Sequence, residues 1–193
     1  MAGRLGSLLR DERGVTITEF ALIAPVLLIM LMGIFDLGYN MYAKSVLQGA
    51  MQQAARDATI EGATALTLDN RVRGQVHSIV PRANVTFTRR SYGSFIDVAR
   101  AEDYDDVNGN GSCDDGEPFE DANGNGYWDD DRGTAGNGDA REAVLYTASM
   151  SYARAFPLAG LIGISPDFST SATTVLRNQP FTLQPDRATT GNC

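Results

Sequence analysis

The chain has 193 residues, a formal charge of −8 and only two cysteines. Its acidity is local: twelve of its 24 acidic residues fall between Glu102 and Asp131, a stretch without Lys or Arg, and the remainder carries a net +4. No basic, aromatic-laced patch of the kind nucleic acid requires is present in the sequence, which excludes that class of partner. Once a tail and one long apolar stretch are set aside, the length leaves room for a single modest soluble domain.

The first strong signal is Phe20–Phe35, FALIAPVLLIMLMGIF, a charge-free run between Glu19 and Asp36. As a helix it extends roughly 24 Å, slightly short of a ~30 Å hydrocarbon core, and the mostly apolar or aromatic flanks Val15–Thr18 and Leu37–Tyr42 lengthen it. A buried core helix is the plainer alternative, but a helix that is apolar on every face lacks the stripe of a surface helix. Arg4, Arg10 and Arg13 precede the run and Asp36 is the first charge after it. Because orientation follows the bases, this places the N-terminus in the cytoplasm and everything after about Tyr39 outside.

Beyond the run, Ala43, Val46, Leu47, Ala50, Met51, Ala54 and Ala58 recur at three- and four-residue spacings. One helix from about Thr16 to Ile60, stopped by Gly62, accounts for both halves. A cleaved secretory signal is the competing reading, but no small-x-small site follows the apolar run. Pro25 removes one backbone donor inside the span and predicts a bend or a loosened turn there.

The entry to the helix, Gly14-Val15-Thr16-Ile17-Thr18-Glu19-Phe20, has two compatible readings. Thr16 and Glu19 have the spacing of a capping box, and an acid near a helix start is favoured by the helix dipole. A glycine followed by four uncharged residues and a glutamate also resembles the processing site of type IV prepilins. The segment from Arg13 through Ala24-Pro25-Val26-Leu27-Leu28, continuing through Gly33-Ile34-Phe35-Asp36 to about Ala58, resembles the TadE-like family of Tad (Flp-type) pilus assembly proteins. A weaker echo occurs in Ala172–Pro180. The resemblance implies a single-pass bacterial inner-membrane, pseudopilin-like protein that works with other pilins or pseudopilins and Tad assembly components. It also implies cleavage between Gly14 and Val15 by a prepilin peptidase, which makes Glu19 the fifth mature residue. In pilins that glutamate is thought to pair with a neighbouring subunit's free amine, a pairing stronger in lipid than in water.

After the helix, Thr67–Val80 places Leu68, Val72, Val76 and Ile79 on one helical face, and Pro81 ends it. His77, the lone histidine, has no ligand-spaced neighbour and reads as a surface or boundary residue. Val85–Arg90 alternates apolar and polar residues, Ser91–Ser94 supplies a turn and Phe95–Ala99 follows, which predicts a β-hairpin.

The acidic stretch is a repeat. Asp106-Val107-Asn108-Gly109-Asn110-Gly111-Ser112-Cys113-Asp114-Asp115-Gly116-Glu117 matches the twelve-residue calcium loop of EF-hands. Asp106, Asn108, Asn110, the Ser112 carbonyl, Asp114 and Glu117 stand at the ligand positions, with Gly111 at the sharp turn. The pattern recurs with Asp121, Asn123, Asn125, Tyr127 and Asp129, but Arg132 occupies the place of the closing glutamate, so Asp130 or Asp131 is expected to substitute in a weaker site. One or two Ca²⁺ ions are therefore expected. The plainer alternative is a solvated acidic linker. The loops look like DxNGNG calcium loops of dockerin-like and thrombospondin-type extracellular proteins rather than a paired EF-hand domain.

Ala143–Ala153 reads as a central strand because both its faces carry apolar groups. Pro157–Ile164 reads as an apolar loop or short helix, Phe168–Leu176 as a further strand and Thr182–Cys193 as a tail. In an outside compartment Cys113 and Cys193 point to a disulfide joining that tail to the acidic loops, with two free thiols as the alternative.

The predicted fold is α+β: a long N-terminal transmembrane and amphipathic helix packed on a small antiparallel sheet, with an inserted calcium-loop repeat. Residues 1–14 form a cytoplasmic leader or tail. Residues 15–62 form the helix, with its span at about 17–39, and 63–193 an extracytoplasmic domain carrying the acidic insert 102–133. Three functions compete. A membrane-anchored pilus-assembly component rests on the helix signature, and a membrane-anchored calcium-binding surface or adhesion module rests on the repeat. An enzyme is disfavoured because no nucleophile–base pair, phosphate loop or histidine metal ligand set is legible.

Overall fold

A computed structural model describes residues 15–58, 64–114, 116–139, 141–156, 160, 163–177 and 188–193. The fold is α+β, and the chain divides into two units. One comprises Met1–Tyr42 with Ala153–Phe168, the other Ala43–Tyr152 with Ser169–Cys193.

The first helix, α1 (Val15–Asp57), runs 43 residues without interruption and passes through Pro25. It is long and apolar enough to cross a membrane, and none of its most apolar stretch is buried. In the first unit its polar end is anchored by Asp36. Arg154 Nη1 donates to Asp36 Oδ2 at 2.6 Å, and Asn40 Nδ2 donates to the same oxygen at 3.0 Å. Asp36 is thus more than the first charge beyond the apolar run, since it pairs with a cation 118 residues away.

The start of α1 differs from the expected capping box. The helix already includes Val15 and Thr16, so Glu19 stands beyond its first turn, and the Thr18 hydroxyl donates back to the Val15 carbonyl at 2.8 Å. Gly14 lies outside the described residues, as do Ile60 and Gly62, where the helix was expected to end. Within the described residues α1 ends at Asp57.

In the second unit the character of α1 changes. Ala43, Leu47, Ala50, Met51 and Ala54 are buried, the three- and four-residue spacing of a helix with one apolar face. A second helix, α2 (Ala65–Ile79), buries Leu68, Val72 and Val76. Its start is fixed by Thr64 and Thr67, each side chain hydrogen-bonding to the other's backbone N–H in a capping box. The helix stops just before Val80 and Pro81, since Pro81 disfavours helical geometry in the residue preceding it.

The strands are β1 (Asn84–Tyr92), β2 (Pro118–Asp121), β3 (Thr134–Ala135), β4 (Ala143–Ala153), β5 (Asp167–Arg177) and β6 (Thr189–Asn192). Four form one sheet in the order β3-β1-β4-β5. The antiparallel β1–β4 pairing runs from Asn84 opposite Ser151 to Tyr92 opposite Ala143. Because side chains alternate along a strand, Val85 on β1 and Val144, Tyr146, Ala148, Met150 and Tyr152 on β4 share the core face with Ala172 and Leu176 of β5. The opposite face is polar: the Thr147 and Thr173 hydroxyls meet across β4 and β5 at 3.1 Å. β4 is central, as expected, but only one of its faces is apolar, since Thr147, Ser149 and Ser151 line the other.

Two expectations need correction. Phe95–Asp97 is a single 3₁₀ turn and not the return strand of a hairpin. β1 finds its partners in β4 and β3, so long-range pairing replaces the local turn that Tyr92-Gly93-Ser94 suggested. The C-terminal tail is also structured at its end. β6 pairs antiparallel with β2, Phe119 opposite Gly191. Gly191 is required by close approach, since a Cβ there would stand 2.4 Å from the Phe119 ring. The predicted apolar segment at Pro157–Ile164 lies largely outside the described residues, as does Asn178–Arg187.

A polar group is locked into the core of the second unit. The fully buried Tyr146 hydroxyl donates to Asp69 Oδ1 at 2.6 Å, and Asp69 also pairs with Arg89. Burial, reinforced by the Asp69 hydrogen bond and charge, raises the Tyr146 phenol far above its ordinary value of 10.0. The native phenol keeps its proton after the unfolded chain has lost its own, so stability declines as pH climbs above 10.0. Tyr146→Phe is expected to cost about 1–3 kcal/mol by removing one partner of a largely buried carboxylate, and to flatten that alkaline decline. Urea unfolding of the full chain in detergent at pH 8 and pH 10.5 measures both.

Candidate functional site

The two acidic loops fold alike. In the first, Asp106 Oδ1 accepts the Gly109 and Asn110 amides at 2.7 and 3.0 Å, and Oδ2 accepts Gly111 at 2.9 Å. In the second, Asp121 accepts Gly124, Asn125 and Gly126 at 2.7, 3.1 and 2.9 Å. Gly111 and Gly126 have φ of +79° and +83°, a conformation that residues with a Cβ rarely adopt. The repeated NGN-G spacing is therefore a backbone requirement as well as a composition.

The asparagines and the later aspartate of each loop converge. Asn108 and Asn110 place their amides on Asp114 at 2.9 and 2.8 Å, and Asn123 and Asn125 place theirs on Asp129 at 2.7 and 2.6 Å. Ser112 and Tyr127 follow at the seventh positions, their amides held by Asn110 and Asn125. Both side chains are exposed, and the motif expects the backbone carbonyl of each as the ligand. Among the described residues no group of three His, Cys, Asp or Glu side chains is close enough to hold a metal by itself. The available donors are carboxylate, amide and carbonyl oxygens, the hard set that suits calcium.

Each loop is closed by a buried glutamate. Glu117 takes the amides of Val107 and Asn108 on Oε1 at 2.8 and 3.2 Å and that of Asp114 on Oε2 at 3.3 Å. In the second loop Glu102 does the corresponding work, accepting Ala122 at 2.8 Å and Asp129 at 3.0 Å. Sequence reasoning missed Glu102 because it precedes the first loop and closes the second.

The residues expected to substitute there are otherwise engaged or exposed. Asp131 faces β1, where it pairs with Arg90 and accepts the Tyr92 hydroxyl at 3.2 Å. The Arg90 guanidinium is raised chiefly by that charge, and the Tyr92 phenol is raised chiefly by burial. Asp130 is solvent-exposed. Arg132, at the twelfth position, reaches Asp97 at 3.3 Å and Asp103 at 3.0 Å. Burial pushes the Asp103 carboxyl up, but the combined pull of Arg132 and Arg100 outweighs it and holds the group below its ordinary range.

Cys113 and Cys193 are joined, with Cα atoms 5.6 Å apart across a sequence separation of 80. The bond fixes β6 beside the first loop, and Cys193 N also donates to the Glu117 carbonyl at 2.8 Å. The same strand reaches the second loop, where the Thr189 hydroxyl donates to Asp121 Oδ2 at 3.3 Å.

The other site candidates, Val15 and Glu19, lie on the exposed apolar half of α1. Residues 14–56 match the family model described as TadE-like protein. The match spans Glu19, Pro25 and Asp36 and stops one residue short of the end of α1, so the sheet and both acidic loops lie outside the TadE-like segment. No curated protein and no solved structure matches the chain.

Replacing Cys113 and Cys193 with serine is expected to cost about 2–5 kcal/mol, since the bridge closes a long loop of the unfolded chain. Thermal unfolding followed by Trp128 fluorescence should show a lowered midpoint in the double variant.

Proposed function

We propose that this chain is a membrane-anchored, pseudopilin-like component of Tad/Flp-type pilus assembly or secretion, structural and non-enzymatic, whose extracytoplasmic loops are stabilised by calcium. The observation that carries the reading is the TadE-like match over a helix whose apolar half has no protein cover. It is a single-pass protein of the bacterial inner membrane, with its N-terminus in the cytoplasm and its sheet outside. Its partners are the bilayer, other pilins or pseudopilins, Tad assembly components and a prepilin peptidase.

The helix has to leave lipid intact for such a role. Processing at Gly14–Val15 removes only the polar leader and keeps the apolar rod, with Glu19 near the new terminus. A carboxylate in the apolar half of a helix is costly in hydrocarbon, which favours pairing it with a cation such as a neighbouring subunit's amine.

Calcium suits the donor set of both loops. A bound Ca²⁺ supplies two positive charges to offset the clustered carboxylates. Asp106, Asn108, Asn110, the Ser112 carbonyl, Asp114 and Glu117 would hold one ion, and Asp121, Asn123, Asn125, the Tyr127 carbonyl and Asp129 would contribute to a second. Extracellular calcium modules bind at about 10⁻⁴–10⁻³ M, so occupancy follows the compartment.

A second reading, a calcium-binding surface or adhesion module unrelated to pili, is favoured by one observation: the loops lie outside the TadE-like match. Incubation of the full chain with a prepilin peptidase separates the two. The pilus reading predicts a new N-terminus at Val15, whereas an intact N-terminus favours the adhesion module. The calcium component has its own test. Terbium emission excited through Trp128 or Tyr127 is expected to rise on titration and to fall when calcium is added in excess; no emission supports a solvated acidic linker.

A further inference from the structure

Asp36 is the first charge after the apolar run, yet uncovered apolar side chains continue past it. Leu37, Met41 and Tyr42 are 64%, 72% and 55% exposed, whereas Asp36 and Asn40, one helical turn apart on another face of α1, are sheltered. Phe20–Phe35 covers only about 24 Å of a ~30 Å hydrocarbon core, so the lipid has to reach beyond Phe35. Exposed tyrosine is the residue that marks a membrane–water interface, and Tyr42 stands roughly 9 Å farther along the helix than Asp36. Both observations put the edge of the bilayer near Tyr42 and Asp36 inside it. A carboxylate at that depth calls for a cation. Arg154 supplies it, donating from Nη1 to Asp36 Oδ2 at 2.6 Å.

Arg154 is itself built into the connection between β4 and β5. Its amide donates to the Pro166 carbonyl at 2.9 Å, its Nε donates to the Ser165 carbonyl at 3.2 Å, and its guanidinium lies over the Phe168 ring at 5.5 Å. Whatever depth Asp36 takes, the base of this connection takes too. The twelve residues from Ala155 to Pro166 carry no charge, and Phe156, Leu158, Leu161, Ile162 and Ile164 among them are large and apolar. Ile164, beside the Ser165 and Pro166 carbonyls that hold Arg154, is 49% exposed. We infer that the β4–β5 connection dips into the outer leaflet of the bilayer that α1 spans, with Ile164 in contact with lipid and the Asp36–Arg154 pair below the membrane surface. The inference rests on the single-pass reading above and goes beyond it by adding a second lipid-contacting surface. Lipid is the occupant that fits, because the ion pair fixes the connection to the end of the span and the charge-free stretch offers no side-chain charge to a polar partner. The depth agrees as well, since interfacial segments settle about 5–10 Å into the headgroup–acyl boundary.

Fluorescence quenching of the full chain in vesicles of phosphatidylcholine and phosphatidylglycerol tests the inference. An environment-sensitive thiol probe is placed on Ile164→Cys and, as a second reading one residue on, on Ser165→Cys. Ile29→Cys in the span and Asp130→Cys in the exposed acidic loop serve as references. Phosphatidylcholine brominated high in its acyl chains is expected to quench the Ile164 and Ser165 probes at least twofold. Aqueous iodide should quench them at least threefold less than it quenches the Asp130 probe. Iodide quenching equal to that at Asp130, without quenching by the brominated lipid, would overturn the inference. Shielding from both quenchers would overturn it too, since protein and not lipid would then cover the connection. The Ile29 probe keeps the two readings apart: its quenching by brominated lipid upholds the span whatever Ile164 does, and its failure to respond would sink the span and this inference together.

Discussion

An apolar rod without protein cover constrains everything else in this molecule. From Phe20 to Phe35, eleven large apolar side chains are exposed, among them Leu22, Ile23, Val26 and Met30. Fully removing such a side chain from water is worth about 1.5–3 kcal/mol, so a helix that exposes eleven of them gains from an apolar surrounding. Its length and the absence of a polar stripe make it a possible membrane span. The backbone agrees, since a helix satisfies its own hydrogen bonds where water is missing.

The same helix serves a second purpose farther along. Past Tyr42 its apolar residues contract to a stripe, Ala43, Leu47, Ala50, Met51 and Ala54, and these are buried. At the boundary Asp36 meets Arg154 and Asn40, so the first charge after the apolar run is neutralised locally. Removing one partner of so sheltered a pair would strand a charge, a much larger penalty than the loss of an exposed surface pair. In the second unit, Tyr146, Asp69 and Arg89 form another polar cluster, and Arg89 lies over the Tyr146 ring at 4.3 Å. A buried carboxylate satisfied from two directions ties α2 to the sheet by directed contacts, which apolar packing alone does not supply.

Local signals in the sequence were read well where the physics is local. The long helix, the Leu68–Val72–Val76 face, and β4 and β5 all follow from periodicity and length. The turn glycines of both acidic loops follow from the conformations they must adopt. What escaped was non-local. Phe95–Asp97 did not return as a strand because β1 gained more from pairing with β4, sixty residues away in sequence, than from its own turn. β6 is not legible as a strand because two threonines followed by Gly191 and Asn192 make no apolar alternation, and only β2 and the Cys113–Cys193 bond give it a place. Glu102 was overlooked for a related reason. A loop motif is searched downstream of its first aspartate, whereas this carboxylate arrives from upstream through the antiparallel Tyr104–Phe119 bridge. The fifteen-residue recurrence of Glu-x-aromatic-x-Asp was the available clue.

The central claim is that the rod stays in the membrane and holds the remainder of the chain outside. Protease added to sealed spheroplasts expressing the full chain tests it most directly. The account predicts that the sheet and acidic loops are digested from outside, leaving a membrane-bound fragment that contains Phe20–Phe35. A chain that resists protease until the membrane is breached, or one that is recovered whole in the soluble fraction, would contradict it.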